Sequence, residues 1–359
     1  MNKHLKNRSV LLFSIAVLSL ASCAKNESVE PAAIASAQMD TAAVSTLSDE
    51  TVLAATSPTS GFALGVNGHM GDAPYLATTP AKQIQLLKNM KMTWYRINVQ
   101  TKSDGSASSS SLLEALQAAG SSAGVKLLPM IYLRTLNFDD SESTSYQKGK
   151  TLGANFAAKY GKYFTYYNLG NDLELKLLNS GKNGASTSDY KQRETKVTAA
   201  YLKGMDEGIK SKDAGAQTMI TAGWLHYGFL KMCESYGVKF NIVSYNWYAD
   251  METAAAKSNG IPDITVKLAS LFPGKPIWFT ECNFRYKAGS STNEADQNSF
   301  ATKFIAKCKK NPQVKALIFY ELFDEPYKNG QEASYGLLKW KTRYTAWTNK
   351  TLANTLMNN

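Results

Sequence analysis

Tyr166-Tyr167-Asn168-Leu169-Gly170-Asn171-Asp172 and Ile277-Trp278-Phe279-Thr280-Glu281 decide the fold class of this chain. Each is a largely apolar run that ends on a carboxylate. Such runs suit strands of a parallel sheet covered by helices on both faces, and the rim just past strand ends is where α/β barrels carry their chemistry. The two stretches therefore predict a parallel α/β architecture with Asp172 and Glu281 at one rim.

The same pattern extends outward in both directions. Strand patterns lie near Phe62 to Asn67, Thr93 to Val99, Val125 to Tyr132, Phe164 to Asn171, Thr218 to Ala222, Phe240 to Tyr248, Pro276 to Glu281 and Ala316 to Phe323. Amphipathic stretches fall between them at Pro80 to Met90, Ser111 to Ala119, Tyr146 to Tyr160, Tyr190 to Lys210, Phe229 to Tyr236, Ile264 to Leu271 and Gln297 to Lys309, with a terminal one at Arg343 to Leu356. Thr79 is suited to cap the first of these helices, and Pro80 fits its first turn. Strand and helix in regular alternation predict a closed (β/α)₈ barrel. A doubly wound open sheet is the alternative, with Gly65, Gly68 and Gly71 as its nucleotide loop. That spacing is not GxGxxG, and no acid follows at the end of a second strand, so the segment reads as a loop.

The N-terminus reads differently. Lys3, Lys6 and Arg8 precede an apolar core from Val10 to Leu20, and Leu20-Ala21-Ser22-Cys23 closes it. This is a bacterial lipoprotein signal over residues 1–22, with Cys23 as the lipidation site. The apolar run is shorter than the roughly 20 residues a membrane span requires. Residues 23–59, rich in Ala, Ser and Thr, suit a solvated tether, which leaves residues 60–359 for one barrel. The expected location is the cell envelope, with the protein anchored in the outer membrane and facing the periplasm or the surface, and touching the membrane through the lipid alone.

The formal net charge is +11, and removal of the signal with its Lys3, Lys6 and Arg8 leaves +8. These charges are dispersed as single lysines or short pairs such as Lys309-Lys310. They make no basic stripe interleaved with aromatics, so a solvated surface is expected and nucleic acid is not a predicted partner; an acidic glycan stays open. Beyond Cys23 only Cys233, Cys282 and Cys308 remain, an odd number without CxxC spacing, which indicates neither a disulfide framework nor a zinc site. His69 and His226 are too scattered to build a metal centre by themselves. No cofactor and no metal are expected.

If the barrel is right, functional side chains should gather just after the predicted strand ends. In chain order the rims hold Asn67 and His69, Arg96 and Asn98, Arg134, Asn171 and Asp172, Trp224 and His226, Asn246 to Tyr248, Glu281 to Asn283, and Tyr320 to Asp324. Polar groups able to bond sugar hydroxyls alternate there with aromatic faces able to stack on pyranose rings. Taken singly each has a structural reading too: Trp224 or Phe323 sealing the barrel top, Arg96 pairing a structural acid, His226 capping a helix.

Taken together, Asn171-Asp172, Thr280-Glu281, Arg96, Tyr248 and the strand-eight run Phe319-Tyr320-Glu321-Leu322-Phe323-Asp324-Glu325-Pro326 resemble the large clan of retaining glycoside hydrolases built on TIM barrels. Ile220 to Tyr227 and Val243 to Tyr248 are similar to members of that clan as well. The resemblance covers nearly the whole chain after residue 60. It implies a glycosidase acting on a plant- or microbe-derived oligo- or polysaccharide. Glu281 would be the nucleophile, Asn171 would bond the substrate 2-hydroxyl, and Arg96 and Tyr248 would hold Glu281 ionised. Asp172 would occupy the acid/base position, and Asn67, His69, Trp224, His226, Asn246, Trp247 and Tyr320 would line the substrate site.

The clan places Glu after the asparagine, whereas this chain has Asp172. Retaining chemistry needs two carboxyls of unlike pKa about 5 to 5.5 Å apart. A side chain one methylene shorter holds its carboxyl roughly 1.5 Å back unless the backbone advances, and an ångström of displacement can cost on the order of a hundredfold. Three outcomes follow: an enzyme with an Asp acid, a weak enzyme, or a non-catalytic carbohydrate-binding lipoprotein derived from one. Glu174, expected on the same strand face two residues on, is a substitute acid or a rim salt bridge.

Overall fold

The structure, a computed structural model, describes residues 61–287 and 290–358. The signal, Cys23 and the tether lie outside the described residues. Among those described, no helix is long and apolar enough to cross a membrane.

Eight parallel strands close on themselves in chain order: β1 (Ala63–Gly68), β2 (Trp94–Val99), β3 (Lys126–Ile131), β4 (Tyr166–Leu169), β5 (Gln217–Gly223), β6 (Ile242–Tyr248), β7 (Ile277–Asn283) and β8 (Val314–Phe319). This is the predicted (β/α)₈ barrel. The helices are α1 (Ala73–Leu76), α2 (Pro80–Asn89), α3 (Ser110–Ala123), α4 (Glu142–Tyr160), α5 (Leu173–Leu177), α6 (Gln192–Lys212), α7 (Tyr227–Ser235), α8 (Ala249–Asn259), α9 (Ile264–Leu271), α10 (Asn293–Lys310) and α11 (Thr351–Asn358). Thr79 caps α2 by accepting the Lys82 N–H, with Pro80 in the first turn as expected.

The interior is layered. Trp94, Leu128, Met219, Ile242, Trp278, Ala316 and Ile318 form an apolar plug toward the strand starts. One step along the same inward face come Arg96, Asn168, Thr221, Ser244 and Thr280, all buried, so the upper layer is polar. Outward residues such as Tyr95, Tyr167, Ile220, Tyr245 and Phe279 join the larger core between barrel and helices. On β7 the two-residue period breaks: Tyr245 pairs with Phe279 but Asn246 with Glu281, skipping Thr280. A bulge of this kind re-aims side chains. Thr280 and Glu281 therefore both face the interior.

Several expectations are corrected. The stretch Arg343 to Leu356 is not one helix: β9 (Leu338–Thr342) and β10 (Ala346–Asn349) form an antiparallel hairpin, and only α11 is helical. Leu338 to Thr342 alternates apolar and polar residues, which suits a strand, and Tyr344 takes a left-handed turn at φ +60°. Strand β4 ends at Leu169, so Asn171 and Asp172 lie beyond the sheet, and β8 ends at Phe319, short of the predicted Phe323. Helix α8 was not foreseen. Cys233, Cys282 and Cys308 are buried and free.

Helices α4 and α6 pack through glycines one turn apart on each, Gly149 and Gly153 against Gly204 and Gly208. A Cβ at Gly204 would run into the carbonyl of Tyr146, and one at Gly149 into that of Tyr201. Gly204→Ala should therefore destabilise the protein by about 1–3 kcal/mol through overpacking, more than the ~1 kcal/mol that alanine gains in a helix. Thermal melts check this; an unchanged or higher Tm would show that the helices separate at no cost.

Candidate active site

Arg96 occupies the centre of the barrel mouth and is only 3 % exposed. Its Nε donates to Asn168 Oδ1 at 2.8 Å, Nη1 to Asn67 Oδ1 at 2.7 Å and to Glu281 Oε1 at 3.0 Å, and Nη2 to Asn171 Oδ1 at 2.7 Å. The other oxygen of Glu281 accepts the Tyr248 hydroxyl at 3.0 Å. Both Glu281 oxygens thus have donors, one cationic and one phenolic. Burial, and next the charge of Glu281, raise the Tyr248 phenol well above its ordinary value, so Tyr248 acts as a donor.

Asp172 sits where the chain turns from β4 into α5, through left-handed residues at Gly170 (φ +76°) and Asp172 (φ +50°). Asp is among the few non-glycine residues that take this conformation readily. Its Oδ2 accepts Asn171 Nδ2 at 2.9 Å and its Oδ1 accepts Asn246 Nδ2 at 3.0 Å. Burial pushes the carboxyl well above the usual range, and the charges of Glu281 and Glu174 add to this; Arg96 and Asn246 pull the other way. Glu174 is not on a strand face with Asp172, because the chain is already helical there. It is buried, and its Oε1 accepts Gly223 N–H at 3.0 Å and lies 3.4 Å from His226 Nδ1.

The remaining sequence candidates divide. Asn67 is buried and bridges Arg96 to the backbone carbonyls of Thr280 and Phe319 at 2.9 and 3.0 Å. His226 is buried against Glu174, and Trp224 is partly buried with φ +48°. Trp247 stands apart from the mouth: it points outward from β6, is fully buried, and donates its indole N–H to Glu252 Oε2 at 2.6 Å. The alternation of strand side chains puts it on the face opposite Asn246 and Tyr248. Tyr320 lies ring to ring with His69 at 5.4 Å and with Tyr335 at 5.5 Å, and Tyr335 lies 5.8 Å from Tyr248, so an aromatic wall runs from Glu281 toward β1.

Several residues at the mouth were not singled out from sequence. Asn168, fully buried, is the Nε partner of Arg96. Glu332, in the loop after β8, accepts the Tyr320 hydroxyl at 3.3 Å; burial and, further down, the charge of Glu281 raise its pKa. Glu321 and Glu325 are fully buried beside His69, whose Nδ1 lies 2.9 and 2.6 Å from their oxygens. Only Glu321 and Glu325 carried a signal, as acids in the strand-eight run. Ligand atoms of His69, Glu321 and Glu325 lie within 4.8 Å of one another, close enough to share a cation. The group already carries its own counter-charges: Lys328 pairs with Glu325, and although burial opposes a charged His69, Glu321 and Glu325 outweigh it and raise its pKa well above 6.5.

Carboxylates, amides and aromatic rings gathered at the C-terminal mouth of a closed (β/α)₈ barrel mark the face on which barrel enzymes carry their active sites. Residues 75–346 match the family model described as glycosyl hydrolase catalytic core, and the chain belongs to that family of glycoside hydrolases. Among solved structures it is similar to a β-glycosidase called BGL167, with TM-score 0.62, 13% identity and coverage of 83% of this chain and 95% of that one. A β-glucosidase from Pyrococcus furiosus gives 0.61, 12%, 83% and 94%. A family 1 β-glucosidase from Thermotoga maritima gives 0.59, 10%, 83% and 97%. At such identities these likenesses speak for the fold. No curated protein sequence matches the chain.

The His69 cluster makes stability depend on pH. Burial pushes Glu321 up to about 8 from an ordinary 4.5, against the pull of His69. Between those values the folded state binds more protons than the unfolded one, so stability falls as pH rises from about 4.5 to about 8. The raised His69 adds a loss of the same sign above 6.5. Glu321→Gln should flatten the decline in Tm across this range; melts that fall as steeply as wild type would remove Glu321 as its source.

Proposed function

We propose that this glycoside hydrolase is a retaining glycosidase of an oligo- or polysaccharide, with Glu281 as nucleophile and Asp172 as acid/base. The observation that carries the reading is the unlike surroundings of the two carboxyls. Glu281 accepts from a guanidinium and a phenol, whereas burial and neighbouring acids favour a proton on Asp172. That difference assigns the two roles. Glu281 attacks the anomeric carbon as Asp172 gives its proton to the departing oxygen; Asp172 then takes a proton from the water that displaces Glu281. Asn171, held by Arg96, is the group for the 2-hydroxyl. The left-handed turn at Gly170 and Asp172 sets the direction in which the short Asp172 side chain leaves the backbone.

A second reading, a barrel that binds glycan without cleaving it, draws support from the two amide donors on Asp172, which favour its ionised form. Hydrolysis and binding across a glycan panel, with aryl glycosides of graded leaving groups, separate the two. Glu281→Gln should abolish turnover while glycan affinity and fold persist, because the amide is nearly isosteric but a poor nucleophile. Asp172→Ala should slow glycosides with poor leaving groups by about a hundredfold or more and spare activated ones, with azide restoring the second step. Equal loss on good and poor leaving groups without azide rescue would remove Asp172 from the role. Binding without cleavage of any activated glycoside would establish the second reading.

We further propose that Cys23 is lipidated and tethers the barrel to the cell envelope, on the strength of Leu20-Ala21-Ser22-Cys23. The protein should fractionate with membrane and Cys23→Ala should release it or leave it uncleaved. Wild type found wholly in soluble fractions would refute the anchor.

A further inference from the structure

A single chain of hydrogen bonds crosses the barrel interior from Arg96 to Asp172. Arg96 Nε donates to Asn168 Oδ1 (2.8 Å), and Asn168 Nδ2 donates to Thr221 Oγ1 (2.9 Å). Thr221 and Ser244 hydroxyls are 2.8 Å apart, and those of Ser244 and Thr280 2.5 Å. Thr280 Oγ1 donates to Asn246 Oδ1 (3.2 Å), and Asn246 Nδ2 donates to Asp172 Oδ1 (3.0 Å) and, at the longer distance of 3.4 Å, to Asn171 Oδ1. The four links between Arg96 and Asn246 are all buried, at 0 or 1 % exposure.

The chain runs one way only. An amide oxygen cannot donate, so the one proton of Thr280 goes to Asn246; Thr280 must then accept from Ser244, and Ser244 from Thr221. Thr221 in turn accepts from Asn168, whose oxygen takes the guanidinium N–H. Each hydroxyl uses one donor and one acceptor, and successive bonds of the same sense polarise one another. The Arg96 end also donates to Glu281 through Nη1, so both carboxyls are attached to this network.

We propose that Thr221, Ser244 and Thr280 are positioning residues for Asp172: their chain locks the Asn246 amide with N–H toward Asp172 and C=O toward Thr280. The proposal rests on the reading of Asp172 as acid/base. Reversing the Asn246 amide would reverse the Thr280 and Ser244 hydroxyls with it, and Thr221, which already accepts from Asn168, would then accept from Ser244 as well and lose the acceptor for its own proton in a buried interior. The lock therefore denies a protonated Asp172 an acceptor in Asn246, which keeps the proton available for transfer. The charged and titratable groups facing Asp172 are Arg96 from β2, Glu174 from α5, Tyr248 from β6 and Glu281 from β7, with His226 behind Glu174. None of these is altered by changes in the hydroxyl chain.

Thr280→Val keeps the shape and deletes the donor. The amide, then held only by its 3.4 Å bond to Asn171 Oδ1, can turn and accept from protonated Asp172, so the Asp172 midpoint should rise by about half a unit or more. The readout is a ¹³C titration of the full chain labelled at aspartate carboxyls, with Asp172 assigned from its missing signal in Asp172→Asn. Ser244→Ala, which interrupts the chain one link earlier, should shift the midpoint the same way, and Thr280→Ser should restore the wild-type value. On cleaved substrates the alkaline limb of kcat/KM should move with it. Wild-type midpoints in both Thr280→Val and Ser244→Ala, or an equal shift in Thr280→Ser, would overturn the proposal. The titration needs no turnover, so it decides the chain even if the panel finds no cleaved glycoside and the glycosidase reading fails.

Discussion

The buried guanidinium of Arg96 is the constraint on which the mouth of this barrel depends. A cation that is 3 % exposed has lost its water and needs its N–H groups met by the protein. Asn67 from β1, Asn168 and Asn171 from and just after β4, and Glu281 from β7 meet them. These acceptors come from separate parts of the barrel, so the guanidinium can be satisfied only when the strands have closed in register. Deleting one charged partner of such a buried pair generally costs about 3–5 kcal/mol, because the other is left uncompensated. Site geometry and barrel closure are thus one event.

From that centre the two carboxyls acquire different characters. Glu281 is bonded by the cation itself, whereas Asp172 meets it only through Asn171 and the interior hydroxyl chain. Burial and, after it, the charge of Glu281 raise the proton affinity of Asp172. A second acid, Glu174, faces β5 and adds to the effect on Asp172 from the far side. The layered interior makes this durable: an apolar plug around Trp94, Tyr166 and Trp278 fills the lower barrel and confines polar groups to the upper layer.

Much of this was legible along the chain. Apolar runs with regular spacing reported strands that are covered on both faces, and strand ends marked the rim, so Arg96, Asn171, Asp172, Asn246, Tyr248 and Glu281 were found together. The misses have physical causes. Arg343 to Asn349 carried a helix-like pattern but pairs with a neighbouring strand, a long-range contact that local periodicity does not encode. Trp247 looked like a sugar platform because aromatic character says nothing of direction. Asn168 was passed over as a strand residue, since its value lies in a partner 72 positions away.

Sequence by itself determined the alternation, the class of barrel and the kinds of side chain at its rim, because these follow from local periodicity and residue chemistry. Only the tertiary structure decided which way those side chains face. The bulge in β7 turns both Thr280 and Glu281 inward, against the two-residue period that would have sent one of them into the helical layer. The left-handed residue at Asp172 redirects the chain as it enters α5, and the one-way order of hydroxyls exists only once β4, β5, β6 and β7 lie side by side. Such features depend on register between strands that are distant in the chain, and register is settled by closure of the whole sheet.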